Sequence, residues 1–294
     1  MITIKKSVSP EEIRQKLKHT LFVEGSDYNA IDPIVLSNLL SGIRVEPLGP
    51  SHHIRGAAEA LYKYHPYYYF LIDRDHYDDQ YVERCWSDFP NPAKLNLLIW
   101  RRREIENYFL IPEYIIKSEF KSVSNDQAYT VIIQCCKERL YIDTANQVII
   151  SVREELKKKW IELFTNPQEF KSKRYAIEKL TKAKEFPNHK GKVSKIVDRK
   201  EIINKFEKTL ADMTGGKDHI EYGRGKWIEM IRGKKVLPHL INHCFRVKDA
   251  NDTILQGKEK LMEVVKELLS KPLSEQPDDF QKLHELIVKR IESS

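Results

Sequence analysis

No stretch of this sequence approaches the roughly 18 apolar residues that a bilayer-spanning helix requires, so no membrane-spanning helix is expected. The opening MITIKKSVSP has no apolar core of the kind a secretory signal carries, and no such signal is expected. Cysteine is scarce and poorly spaced. Cys85, Cys135, Cys136 and Cys244 form no CxxC pair, and two adjacent thiols make a poor disulfide or zinc framework. Reduced thiols in a cytoplasmic protein are the expectation. The glycine-rich run GGKDHIEYGRGK at 215–226 lacks the GxxxxGK[ST] form, so no nucleotide-binding P-loop is present and ATP hydrolysis by this chain is not expected. HLINH sets His239 and His243 one helical turn apart, but without the glutamate of HExxH or a third ligand nearby a plain histidine pair is the better account. There is no internal repeat and no low-complexity segment.

What is present is enough apolar material for a core under a heavily charged surface. Of 294 residues, 41% are hydrophobic and 32% charged, which suits one large domain or two ordinary ones. The net charge of +7 is unevenly spread: residues 171–200 hold eleven Lys/Arg against three Asp/Glu, whereas residues 1–120 hold fifteen against seventeen. Such a basic stripe is either a solvated helix face or the footprint of a phosphate-backbone binder, with Lys171, Lys173 and Arg174 as candidate contacts.

Strand and helix signals alternate over about the first hundred residues. SPEEIRQKLK at 9–18 has Ser9 as N-cap and Pro10 at the first helical position. Strands are expected at TLFVEG, IRVE, YYYFLID and KLNLLIW, and further helices at AIDPIVLSNLLSG (starting at Asp32 and Pro33), SHHIRGAAEALYKYH and DDQYVERCW. This alternation predicts an α/β fold with a parallel sheet flanked by helices. After residue 120 helical periodicity takes over, with Ile149, Val152, Leu156, Trp160 and Leu163 on one face, and again Phe280, Leu283, Ile287 and Ile291. A boundary near 120 would separate residues 1–120 from a mainly helical 121–294.

Acids collect at the expected C-terminal strand ends. Glu24 follows the first strand, Asp73 and Asp75 end the third, and Glu104 and Glu106 follow the fourth. Ligand sites of open parallel sheets form just beyond those ends. If the third strand persists, Asp73 and Asp75 point the same way. Several carboxylates in one place need something positive among them, and hard oxygen donors suit Mg²⁺ or Mn²⁺. The alternative is that each acid only caps the helix that follows. Arg101, Arg102 and Arg103 adjoin the group and either hold a substrate backbone or offset the negative charge.

LFVEGSD, FLIDRD and RREIENYFL, in that order and spacing, resemble the Toprim domain in the version found in OLD-type nucleases. The EIENY ending, the chain length and the helical C-terminal half are similar, more narrowly, to the effector nucleases of PARIS anti-phage defence systems. The resemblance covers roughly residues 18–120. It implies Glu24 as the Toprim glutamate, Asp73 and Asp75 as the metal pair, and Glu106 as the acid of the SxE motif, whose serine position is occupied here by Glu104. The acid that these nucleases often carry four residues past the glutamate is displaced, with Asp27 only three past Glu24. A late lysine of the family falls on Lys234 (or Lys235) after Gly233, to stabilise charge on a phosphate. The resemblance further implies Mg²⁺-dependent cleavage of RNA, specifically tRNA, by a homodimer controlled by a separate ABC-type ATPase. An OLD-like DNA nuclease and a Toprim-derived regulatory subunit that no longer cuts are the alternatives.

Overall fold

The computed structural model describes residues 18–75, 77–91, 93–157, 172–182 and 185–293. The helix expected from residue 9, the positions Trp160 and Leu163, and Lys171 lie outside the described residues. The first half has the expected α/β form: β1 (Thr20–Val23), α1 (Ile31–Leu39), β2 (Arg44–Pro47), α2 (Ser51–Leu61), β3 (Tyr68–Ile72), α3 (Asp79–Asp88) and β4 (Leu97–Ile99). All four strands are parallel, in the order β2-β1-β3-β4. Continuous buried runs, Tyr69 to Ile72 and Leu97 to Trp100, replace the alternation of a half-exposed sheet, as parallel strands covered on both faces require.

Two strands are shorter than their apolar runs, each for a local reason. Asn96 takes a left-handed φ of 51° and its amide donates to Tyr68 O at 3.1 Å, so the chain enters β4 only at Leu97. At the other end of the sheet β3 stops at Ile72, because the Asp73 N–H goes to the Glu24 carboxylate at 2.9 Å rather than to a neighbouring strand. From β1 the chain moves outward to β2, then crosses back to lay β3 on the other side of β1. That reversal opens a crevice between the C-terminal ends of β1 and β3.

Beyond β4 come a 3₁₀ helix (Ile105–Leu110), the short α4 (Pro112–Ile115) and the long α5 (Asn125–Lys157). The chain forms two compact units, Met1–Arg139 with Trp227–Ser294, and Leu140–Lys226. The expected boundary near 120 marks where strands end, but the units divide elsewhere because the last part of the chain returns to the sheet. Arg103 N–H donates to Glu229 O at 2.8 Å, joining the end of β4 to α9 (Trp227–Met230). The helix α10 (Gly233–Cys244) packs on the 3₁₀ helix, and α11 (Gly257–Leu269) packs on α1. From α12 (Asp278–Glu292), Phe280 enters an aromatic cluster with Trp100 at 5.7 Å and Tyr108 at 4.8 Å between ring centroids.

The second unit contains the distal part of α5 with α6 (Lys173–Lys182), α7 (Glu185–Ile196) and α8 (Arg199–Thr214). Buried Thr144 donates to Leu140 O at 2.7 Å and to Met213 Sδ at 3.2 Å, tying α5 to α8. The expected apolar face on α5 is only partly covered: Ile149 is exposed, and Val152 and Leu156 are half-buried. This unit carries twenty Lys/Arg and thirteen Asp/Glu, which is the whole of the chain's +7 and leaves the sheet-containing unit neutral. Among the described residues no helix is long and apolar enough to cross a membrane.

The aromatic cluster yields a stability prediction. Phe280→Ala should lower unfolding stability by about 3–5 kcal/mol, read from the urea midpoint, because Phe280 is fully buried. A loss below about 1 kcal/mol would mean that α12 is not part of the sheet unit's core.

Candidate active site

The crevice at the strand reversal is lined with acids. Glu24 stands one residue past β1 and accepts the Asp73 N–H across the gap. The turn that follows needs Gly25, whose φ is 146°; a Cβ there would sit 3.0 Å from the Ala30 Cβ and 3.4 Å from Pro33. Only this close approach brings the first turn of α1, with Asp32, back against the strand end. Asp32, Asp73, Glu104 and Glu106 are all buried.

The Lys234 ammonium sits among these acids. Lys234 Nζ lies 2.8 Å from Asp73 Oδ2, and its backbone N–H donates to Glu104 Oε2 at 2.8 Å. Gly233 makes this possible, since a Cβ at that position would lie 2.6 Å from Asn107 Oδ1 and 2.8 Å from Asn107 N. Asn107 anchors the approach by donating to Ile228 O at 2.9 Å and Ile231 O at 2.7 Å. Glu104 and Asn107 also cap the 3₁₀ helix reciprocally, and Arg232 Nε reaches Glu104 Oε1 at 3.4 Å. Glu104 thus fastens the loop that carries Lys234. Of the two late lysines, Lys235 is exposed and Lys234 enters the cluster.

The electrostatics follow from burial. Burial raises Asp73 well above the usual carboxylate range, against the opposing pull of Lys234. Glu106 is pushed up to about 8 and Asp32 to about 7, again by burial first, with Lys234 opposing. Glu24 is raised by burial, and the Asp73 N–H and Lys234 work against the shift. Burial alone would lower Lys234, but Asp73, Glu106, Asp32 and Glu104 hold its ammonium above its ordinary value. Two buried oxygens, Asp73 Oδ1 and Glu106 Oε2, have no hydrogen-bond partner among the described residues. As they stand, no three His, Cys, Asp or Glu side chains among the described residues group as ligands of one ion.

Other expected site residues are placed differently. Asp75 lies beyond the end of β3 in a left-handed conformation, φ 44°, so the two-residue alternation that would align it with Asp73 is broken. It faces Glu24 and receives Ser51 Oγ at 3.4 Å. Asp27 is exposed and accepts Asn29 N–H at 2.7 Å, a turn contact outside the cluster. The acid that sequence reasoning missed is Asp32, taken as a helix start. The first turn of a helix following a parallel strand borders the same crevice, and that was the available signal.

The three arginines part ways. Arg103 is buried and donates to Met230 O at 3.0 Å, so it holds α9 rather than a ligand. Arg101 grips Glu83 at 2.6 and 2.8 Å and Asp279 at 2.6 Å, over the Trp86 ring. Arg102 has no ion pair among the described residues and lies 5.5 Å from the Tyr108 ring centroid, with its buried Nη1 unpartnered. Arg101 and Arg102 line a cleft of about 510 Å³ whose lining includes none of the cluster acids. Lys173 and Arg174 open α6 with exposed side chains in the second unit. His239 and His243 are exposed and stacked at 4.0 Å.

The fold and site define an α/β protein with a carboxylate-lined crevice at the switch point of a parallel sheet. Compared with protein-family models, curated proteins and solved structures, the chain matches none.

The raised carboxyl groups set a pH dependence. Folded Glu106 and Asp32 hold protons up to about pH 8 and 7, whereas unfolded they release them near 4.5 and 3.8. Their contribution is therefore full below about pH 4 and lost as pH rises through 7 to 8. In EDTA, the urea midpoint should fall steadily from pH 5 to 8.5, and Glu106→Gln should flatten the upper part of that fall. A flat or rising wild-type profile would contradict the burial of these acids.

Proposed function

We propose that this chain is a divalent-metal-dependent nuclease that hydrolyses nucleic-acid phosphodiesters. The observation that carries the proposal is the excess of buried acid over base at the sheet switch point, with two carboxylate oxygens left unpartnered. Buried carboxylates without compensation are costly, and hard oxygen donors fit Mg²⁺ or Mn²⁺. Asp73 and Glu106, which own the unpartnered oxygens, would hold the ion, with Glu24 and Asp32 beside them and Asp75 on the Glu24 side. Such an ion supplies charge neutralisation at a phosphate and a more acidic water.

The chain's own groups account for the remaining work. Glu24, half-buried and fixed by the Asp73 N–H, is placed to take a proton from the attacking water. Lys234, with 37% of its side chain exposed, can offer its ammonium to the phosphate as negative charge builds on it. As the water oxygen bonds to phosphorus, the bond to the leaving ribose or deoxyribose oxygen breaks; that oxygen takes a proton from solvent, and Glu24 returns to solvent the proton it accepted. Arg102, which has no ion pair among the described residues, would hold a flanking phosphate, and Lys173 and Arg174 would contact the backbone. The order of the motifs around Glu24, Asp73, Asp75 and Glu106 supports a Toprim nuclease of the OLD or PARIS-effector type. On that resemblance rest the choice of tRNA over DNA, the active homodimer, the controlling ABC-type ATPase and a cytoplasmic setting.

One observation favours a second reading. Lys234 already neutralises Asp73 internally, which suits a Toprim-derived module that binds without cutting.

Purified protein should be incubated with tRNA and with duplex DNA in Mg²⁺, Mn²⁺ or EDTA. The proposal predicts tRNA cleavage that EDTA stops, and a loss of a hundredfold or more in Glu24→Ala and Asp73→Asn with unchanged circular dichroism. Cleavage that survives both substitutions would contradict it, and binding without cutting in any metal would favour the second reading.

A further inference from the structure

We infer that Lys234 is the site's built-in competitor for the divalent cation: its ammonium holds the ion's place on Asp73 and must leave before an ion can be bound there. The inference rests on the metal-dependent reading above and adds to it what balances Asp73 when no ion is bound and what sets the affinity for one.

The geometry carries the argument. Lys234 Nζ occupies one oxygen of the Asp73 carboxylate at 2.8 Å, while the other oxygen, Asp73 Oδ1, is buried and unpartnered. Glu106 Oε2 is in the same condition among the described residues, and both residues are at most 5% exposed. An ammonium and a dication cannot share one buried carboxylate without strong repulsion, because little water lies between them. The incoming ion therefore exchanges with the lysine.

The exchange needs no backbone movement, and the backbone is in fact pinned. Lys234 N–H is held by Glu104 Oε2 at 2.8 Å, and Gly233 lies flush against Asn107. The side chain is a different matter: it is 37% exposed, and a flexible four-carbon stem lets its head swing toward solvent. Solvent is also the side from which a phosphate arrives. One residue would then serve two states, as counter-cation to Asp73 without the ion and as phosphate contact with it. Metal affinity is weakened by this arrangement, and ion and substrate are bound together more readily than the ion alone.

The test is Mn²⁺ binding to the full chain, by titration calorimetry at one fixed pH, for wild type, Lys234→Met and Lys234→Arg. Lys234→Met keeps the stem and removes the charge, so it should bind Mn²⁺ at least about tenfold more tightly while losing cleavage. Lys234→Arg should bind as weakly as wild type. Equal or weaker binding by folded Lys234→Met overturns the inference and leaves the nuclease reading standing. No Mn²⁺ binding by any of the three overturns both. Should Lys234→Met fail to fold, acetylation of the wild-type lysine by an amine-reactive ester, read by mass spectrometry, decides the matter. Saturating Mn²⁺ should speed modification of Lys234 severalfold, and an unchanged rate overturns the inference.

Discussion

The structure turns on the contact between the Lys234 ammonium and the Asp73 carboxylate, 2.8 Å apart inside a ring of further acids. Asp32, Glu104 and Glu106 are buried around it and Glu24 is half-buried. The Lys234 ammonium, with Arg232 reaching Glu104 at 3.4 Å, cannot satisfy so many carboxyl groups. The remainder must hold protons, as the raised Glu106 and Asp32 do, or meet a further cation. Such a crevice is a poor device for stability, since an apolar filling of the same volume would be cheaper. Its electrostatic imbalance makes sense as an affinity for something positive.

Everything nearby serves to assemble that imbalance. The strand order β2-β1-β3-β4 places Glu24 and Asp73 on either side of the reversal, and their hydrogen bond ends β3. Gly25 folds the chain tightly enough for α1 to deliver Asp32. From far along the chain, α9 and α10 return to the 3₁₀ helix, where Gly233 docks on Asn107 and sets Lys234 in place. The Phe280 aromatic cluster holds α12 to the same unit. The chain's basic surplus belongs to the unit spanning Leu140–Lys226.

Much of this was legible in the sequence because parallel strands buried on both faces read as apolar runs, and acids at their ends stand out. The strands, the α/β class and the positions of Glu24, Asp73 and Glu106 at one edge came from that signal alone. The alignment of Asp75 with Asp73 depended on a strand that continues, and the Glu24 hydrogen bond ends that strand at Ile72. Asp32 was hidden behind an ordinary helix-start pattern. The division into units was not legible, because it depends on a return from residue 227 onward that no local pattern announces. The arginine triplet reads as one basic patch, yet partners far along the chain, Met230 and Asp279, commit Arg103 and Arg101, while Arg102 has no ion pair among the described residues.

The most direct test of the central claim is an anomalous-difference map from crystals of the protein grown with Mn²⁺. The account predicts a peak within coordination distance of Asp73 Oδ1 and Glu106 Oε2, the two oxygens of the acid cluster that are buried without a partner among the described residues, with the Lys234 ammonium drawn away from Asp73. Saturating Mn²⁺ with no peak in the crevice, and Lys234 still seated on Asp73, would contradict it.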